Sequence, residues 1–249
     1  MIDTHAHLFY EYYNDFDALI KEIKAAGIEK VIVNGCDMKS NLEVLELVKK
    51  YDILYGAIGF HPTEEHDNID DCISFLNDHV NDKKIVAIGE IGLDYHYDNT
   101  DKYKQHILFK KQLDVAQNNQ KPIIVHSRDS IQDTYDLLSK YNLRGSIHAY
   151  SGSLEMAKKF IKLGFYLGIG GVCTFKNAKN IISVIKDVDL AYILLETDSP
   201  YLSPEPFRGH VNSPCNIPIV ANKISEIKNV SISLVIRDTS NNAIDLFDF

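Results

Sequence analysis

Two histidines stand one residue apart near the start of the chain, in the segment Ile2-Asp3-Thr4-His5-Ala6-His7. If this segment is a β-strand, residues i and i+2 point to the same face, so His5 and His7 project side by side. Neutral imidazole is a common ligand of zinc and of other divalent transition ions. The pair therefore predicts a metal site at the end of the first strand. The alternative is two core histidines that are hydrogen-bonded within the fold.

Further residues of metal-ligand type follow later apolar segments. They are His61 in Gly59-Phe60-His61-Pro62, Glu90 in Ile88-Gly89-Glu90-Ile91-Gly92, His126 in Ile123-Ile124-Val125-His126, His148 in Ile147-His148-Ala149 and Asp198 in Glu196-Thr197-Asp198-Ser199. If each segment is a parallel strand of one barrel, these side chains meet at the carboxyl-terminal rim, where barrel enzymes place their catalytic groups. The alternative for the two carboxylates is a structural ion pair.

The number of ligands favours two metal ions. A single catalytic zinc takes three protein ligands and a water molecule, and this chain offers six candidates. They are His5, His7, Glu90, His126, His148 and Asp198. Glu90 would bridge a site made by His5, His7 and Asp198 to a site made by His126 and His148. Two ions ~4 Å apart can clamp the attacking and leaving oxygens of a displacement at phosphorus. Imidazole suits zinc and carboxylate suits magnesium or manganese, so the metal stays open.

Other polar residues are candidates for substrate contact or for support of the ligands. We expect His61, which lies beyond its strand, to meet the substrate rather than a metal. One guanidinium group can bind two oxygens of a phosphate at once, so Arg128 and Arg208 are candidates for binding phosphate. Surface salt bridges are the alternative for both. Tyr201 is a candidate for stacking on a base, with core packing as the alternative.

Asp3 and Glu196 each lie two residues before a proposed ligand. A buried carboxylate there can orient a ligand imidazole, and a structural anchor is the alternative. His66, His79 and His106 fall on loop or helix patterns, so we expect them to be solvated.

The elements that must position these residues alternate between short apolar strands and longer amphipathic helices. The predicted strands are 1–7, 30–36, 53–59, 85–91, 122–127, 145–148, 165–170 and 192–196. The predicted helices are 14–26, 39–51, 68–80, 102–119, 129–141, 153–163, 177–187, 216–227 and 231–246. The strands are rich in Ile and Val with little polar alternation, as in parallel strands buried on both faces. This order predicts a (β/α)8 TIM barrel that forms one domain over 1–249. An open doubly wound sheet is the alternative, but the usual glycine-rich loop after the first strand is absent.

Composition limits the classes of protein that fit. The chain has 249 residues, of which 45% are hydrophobic and 24% are charged, as in an ordinary globular protein. We find no membrane span and no signal peptide, and the four scattered cysteines fit reduced thiols, so we expect a cytoplasmic enzyme with no obligate protein partner. A net charge of -9 disfavours broad binding of nucleic acid.

Taken together, these motifs resemble those of the TatD family of metal-dependent hydrolases. The matching stretches are 2–8, 59–62, 89–95, 122–128 and 196–202, in the order expected along nearly the whole chain. The resemblance implies an amidohydrolase-like barrel with a two-metal centre on the six ligands named above. It also implies a Mg-dependent deoxyribonuclease that acts on 3′ ends of single strands. One local departure is His210, which stands where relatives commonly carry a lysine.

We therefore expect a metal-dependent phosphodiesterase that acts on DNA ends or on another phosphodiester. Glu90, Asp198 and His61 are the catalytic candidates, and Asp198 would position the attacking water or accept its proton. The main alternative is an amidohydrolase-type deaminase or lactonase that acts on a small molecule. A non-catalytic metal-binding module is disfavoured, because so many convergent polar groups are costly to hold together without a function.

Overall fold

Eight parallel β-strands form one sheet in the order of the sequence. The computed structural model describes residues 1–66 and 68–249. The strands are β1 (Ile2–Ala6), β2 (Lys30–Asn34), β3 (Leu54–Ile58), β4 (Ile85–Asp94), β5 (Ile123–Arg128), β6 (Gly145–Ile147), β7 (Phe165–Ile169) and β8 (Ile193–Leu195). Each predicted strand is present, and the strictly sequential order of the eight strands excludes the doubly wound alternative, in which the strand order reverses within the sheet.

Helices connect the strands and follow the last one. They are α1 (Phe16–Ala25), α2 (Met38–Lys50), α3 (Ile69–His79), α4 (Lys102–Asn118), α5 (Ile131–Leu138), α6 (Leu154–Lys162), α7 (Lys179–Asp187), α8 (Ile217–Lys228) and α9 (Ile232–Phe247). Several begin after a side chain that caps their free N–H groups, as Asp15 does for α1 and Ser153 does for α6. The predicted helices are thus confirmed, with ends shifted by a few residues.

Contacts between the first and last strands bring the two edges of the sheet together. Ala6 forms a parallel bridge with Ser199, just beyond β8. The Thr4 hydroxyl donates to the Leu195 carbonyl at 3.0 Å, and the Asp198 N–H donates to the His5 carbonyl at 2.9 Å. These bonds give the (β/α)8 barrel expected from the sequence, and they set the segment after β8 against β1, where the paired histidines lie.

Strand β4 is longer than its neighbours, and a glycine makes this length possible. Gly92 has a φ of 152°, and a Cβ atom at this position would clash with the His126 carbonyl of β5. With no side chain at Gly92, β4 stays paired with β5 beyond Glu90, so that Asp94 lies opposite Arg128. The strand therefore carries two buried carboxylates, four residues apart, to the same rim.

In the part of the chain that the structure describes, no helix is both long enough and apolar enough to cross a bilayer.

Candidate metal centre

The six predicted metal ligands lie together at the carboxyl ends of the strands. His5 belongs to β1, Glu90 to β4 and His126 to β5, while His7, His148 and Asp198 follow β1, β6 and β8. All but the partly exposed His126 are buried. Buried imidazoles and carboxylates are costly unless each finds a partner of opposite charge or a metal ion. The fold thus places these six side chains close together, and each buried one requires an oppositely charged partner or a metal ion.

Glu90 stands at the centre of this group, and its two carboxylate oxygens face different histidines. Oε2 lies 3.3 Å from His5 Nε2 and 3.4 Å from His7 Nε2. Oε1 lies 2.9 Å from His126 Nδ1. A carboxylate with one oxygen on each side has the geometry that a ligand shared by two ions requires.

Asp198 closes the side of the group that faces β1. Its Oδ1 lies 3.6 Å from His5 Nε2, 3.5 Å from His7 Nε2 and 3.7 Å from His148 Nε2. His148 therefore approaches Asp198 as well as Glu90, whose Oε1 is 3.9 Å from His148 Nε2. The structure thus places His148 between the two predicted sites rather than beside His126 alone.

The donor atoms fit divalent metal ions. Three overlapping sets each keep their ligand atoms within 4.8 Å of one another: His5, His7 and Glu90; His5, His148 and Asp198; and His61, Glu90 and His126. Ligand atoms about 2 Å from a common ion lie about 3–4 Å apart, which is the range measured around Glu90 and Asp198. Mixed nitrogen and oxygen donors of this kind suit zinc, manganese or magnesium.

The histidines around the two carboxylates of the centre stabilise the ionised form of both. Burial alone would raise the pKa of the Glu90 carboxyl, but the surrounding imidazoles, above all that of His5, hold this pKa well below its usual range. Asp198 has a lowered pKa for the same reason, with His148 as the main opposing charge to burial. Both carboxylates are therefore ionised at neutral pH, which is the form in which a carboxylate binds a cation.

Polar groups behind the centre contact the rings of three of its histidines, which are His7, His126 and His148. His7 Nδ1 donates to the Asn34 carbonyl at 2.9 Å, and His148 Nδ1 lies 3.1 Å from Glu196 Oε1. His126 Nε2 pairs with Asp94 Oδ2 at 2.9 Å, which leaves Nδ1 facing Glu90. Such partners orient a ligand ring and set which nitrogen carries the proton.

The contacts of Asp3 and Glu196 differ, although the sequence left the same two roles open for both. Glu196 Oε1 lies 3.1 Å from His148 Nδ1 and accepts the Ala149 N–H at 2.6 Å, so its orienting role stays a prediction. Asp3 instead accepts backbone N–H groups of His5 at 3.2 Å and Thr197 at 3.0 Å, and the Thr197 hydroxyl at 2.6 Å. Burial raises the pKa of Asp3 to about 7. Asp3 therefore anchors β1 to the segment after β8.

Two neighbours of the centre were not identified from the sequence. The position of Asp94 could have been predicted, because it follows Glu90 by four residues in one strand and so points to the same face. Cys36 lies 3.7 Å from His7 Nδ1 and 4.0 Å from Glu90 Oε2, and nothing in its sequence context indicates this position.

His61 lies beside the centre, and its neighbour His66 is not solvated as the sequence predicted. His61 Nε2 is 3.6 Å from Glu90 Oε1, and Thr63 Oγ1 lies 2.8 Å from His61 Nδ1. Burial lowers the pKa of His61 to about 3, so its ring is neutral. His66 was expected to be solvated, but it is buried, and its Nε2 donates to the His61 carbonyl at 3.0 Å.

A cavity of about 490 Å³ opens above the centre, lined among others by Arg128 and Tyr201. The Tyr201 hydroxyl lies 3.0 Å from that of Tyr12, which also lines the cavity. Arg208 is outside the lining found among the described residues, and its guanidinium lies 4.4 Å from the centre of the Phe175 ring. The structure thus brings two of the three predicted substrate contacts to the cavity.

Comparison with known proteins finds related sequences and the same fold in other chains. A family model described as TatD related DNase matches residues 2–248. The uncharacterized metal-dependent hydrolase YabD of Bacillus subtilis is 38% identical over 251 residues, which cover 99% of this chain and 98% of that protein. A protein named deoxyribonuclease Tat-D from Schizosaccharomyces pombe is 29% identical over 276 residues, covering 94% of this chain and 87% of its own.

Solved structures agree with the barrel. The crystal structure of YjjV, a TatD homologue from Escherichia coli, matches with a TM-score of 0.95 and 31% identity, covering 100% of this chain and 98% of that one. An uncharacterized amidohydrolase from Saccharomyces cerevisiae matches with a TM-score of 0.87 at 20% identity, covering 99% of each chain. The latter likeness shows the fold alone.

Proposed function

The chain belongs to the TatD related DNase family and is a metal-dependent hydrolase, and from this premise we propose that it hydrolyses phosphodiester bonds at the 3′ ends of single-stranded DNA. The observation that carries the proposal is the position of Glu90, whose two oxygens face separate groups of histidines at 3.3 Å and 2.9 Å. The name of the Schizosaccharomyces pombe relative supports DNA as the substrate. The 3′ direction comes from the family resemblance.

Each residue of the centre has a part in this reaction. His5, His7 and Asp198 would hold one ion, and His126 would hold the other with His148, which also faces Asp198. Glu90 would be shared by the two sites. Such ions, when bound, polarise a phosphate and lower the pKa of an attacking water molecule.

The proton and the phosphate are handled by the protein. The ionised Asp198, with its Oδ1 turned into the centre, accepts the proton of the water that attacks phosphorus. As the P–O bond to the rest of the strand breaks, the leaving oxygen takes a proton from solvent. The neutral His61 ring beside Glu90 holds a phosphate oxygen.

Arg128 supplies the fixed positive charge at the mouth of the cavity. Among the described residues that line it, the cations are Lys39 and Arg128, and the Lys39 ammonium is 3.2 Å from a Glu11 carboxylate oxygen. The guanidinium of Arg128 can therefore bind a phosphate, whereas Lys39 is already paired. So little positive charge suits one or two phosphates at a strand end and does not suit a long duplex.

The alternative, a deaminase or lactonase of small molecules, has its own support in the carboxylates that line the cavity. Glu11, Asp37, Glu43 and Glu64 outnumber the two cations there. An acidic lining repels a polyanion such as DNA. The experiment must therefore distinguish hydrolysis of DNA from hydrolysis of a small molecule.

A cytoplasmic location of the protein also stays a prediction.

Digestion of end-labelled DNA by metal-stripped protein tests the proposal. We expect no cleavage without metal, and stepwise release of mononucleotides from the 3′ end of single strands when Mg²⁺, Mn²⁺ or Zn²⁺ is restored. Blunt duplexes should be cut more slowly, because their ends must unpair to enter the cavity. Hydrolysis of lactones or of amino-substituted bases with any of the three ions, and of no DNA, would favour the alternative.

A further inference from the structure

A second cavity, also of about 490 Å³, lies beside the one above the metal centre. It is formed by the segment after β3, the segment after β4 and the first turns of α4. Thr63, Glu64 and Tyr97 line both cavities, so these residues form a ridge between them. A strand that occupies the first cavity can therefore reach the second by crossing this ridge.

The ridge carries an exposed aromatic ring next to the phosphate candidate. Tyr97 is 52% exposed, and the Arg128 guanidinium carbon lies 5.9 Å from the centre of its ring. Exposed aromatic rings next to a cation are the elements with which proteins bind single strands, because bases stack on the ring while the cation holds the backbone. Tyr97 thus has the surroundings of a stacking residue.

The lining of the second cavity favours a base over a phosphate. Its charged residues are the carboxylates Glu64, Glu65 and Asp101 against the single ammonium of Lys104 among the described residues. Amide and hydroxyl groups, including that of Asn99, complete its polar surface. A neutral ring with hydrogen-bonding edges suits this lining, whereas a second phosphate is repelled by it.

Hydrogen bonds through the buried side chains of Gln105 and Asp94 connect this cavity to the metal centre. The Gln105 amide lines it and donates to the Pro62 carbonyl at 3.1 Å and to the Asp94 carbonyl at 2.9 Å. The Asp94 N–H donates back to Gln105 Oε1 at 2.9 Å, and the Asp94 carboxylate holds His126. These bonds hold the wall of the cavity at Gln105 in a fixed position relative to His126.

We propose that this second cavity binds one nucleobase next to the scissile bond, with Tyr97 as its stacking surface. The inference rests on the proposed function, since it assigns the base of a nucleotide whose phosphate is at the metal centre. It makes Tyr97 a substrate-binding residue of the reaction.

The test is a double-mutant cycle between Tyr97 and the base. We would measure kcat/KM for a single-stranded oligonucleotide, and for two versions that are abasic at the terminal or the penultimate nucleotide of the 3′ end. Stacking on one base contributes enough for Tyr97→Ala to lower kcat/KM about ten-fold on the intact strand. Removal of the bound base should lower kcat/KM by a similar factor in the original protein. In Tyr97→Ala, the same removal should have little further effect, because the stacking ring is already absent.

Tyr97→Phe and Tyr103→Ala serve as controls. Tyr97→Phe keeps the stacking ring and should retain the coupling. Tyr103 is 77% exposed on α4 and outside both linings, so Tyr103→Ala should hydrolyse every substrate at the original rate.

Two results would overturn the inference. If DNA is hydrolysed but Tyr97→Ala slows the intact and both abasic strands by the same factor, or does not slow them, the cavity does not bind a base. If no DNA is hydrolysed, the proposed function fails and the base-binding cavity fails with it.

Discussion

Replacing Glu90 with glutamine is expected to lower kcat by about a thousand-fold or more, because the shared ligand of the proposed two-ion centre is lost. The amide keeps the volume of the buried side chain but removes the negative charge that faces histidines on both sides. Metal content should fall with activity. Steady-state hydrolysis of labelled single-stranded DNA and elemental analysis of the purified variant measure the two effects.

His61→Ala is the matched comparison for this variant. His61 lies 3.6 Å from the same carboxylate, but we assign it to the substrate. Its loss should slow turnover by about a hundred-fold and leave the metal content nearly unchanged. If His61→Ala loses metal as fully as Glu90→Gln does, His61 is a ligand, as its grouping with Glu90 and His126 permits.

A covalently closed circle of single-stranded DNA should be degraded at least about a hundred-fold more slowly than its linear form. The net charge of -9 leaves the surface without means to hold a long polyanion, so attraction must come from the bound ions and Arg128. A terminal nucleotide can enter the cavity directly. An internal nucleotide can enter only if the strand bends on both sides of it. Gel analysis of equal amounts of circle and linear strand measures the difference.

The linear strand with its 3′ hydroxyl blocked by a bulky group is the control for this experiment. It should resist digestion as the circle does, while a block at the 5′ end should have little effect. Equal rates for the circle and the linear strand would exclude a mechanism that depends on ends.

The barrel could be predicted from the sequence because its signals are local. Apolar runs such as Ile123–Val125 alternate with amphipathic segments, and a ligand-type residue at the end of a parallel strand must lie on one rim. This geometry places His5, Glu90 and Asp198 together without any knowledge of the loops. That 1–249 forms a single domain stays a prediction.

The rest of the site depends on contacts that no local pattern specifies. The extension of β4 past Glu90 requires a close approach of Gly92 to β5, so the pairing of Asp94 with His126 appears only in the fold. His66 reads as a loop residue in the sequence, yet its hydrogen bond to His61 buries it. Similarly, the ridge at Tyr97 exists because the segments after β3 and β4 meet there.

The most direct test of the two-ion centre is the number of metal ions that one chain binds. Metal-stripped protein titrated with Mn²⁺ or Zn²⁺ in a calorimeter, with elemental analysis of the dialysed product, gives this number. We predict about two ions per chain, and fewer in Glu90→Gln, because its carboxylate is shared between the two sites. A stoichiometry that stays at one, or a Glu90→Gln variant that binds the full complement, would contradict the bridged centre.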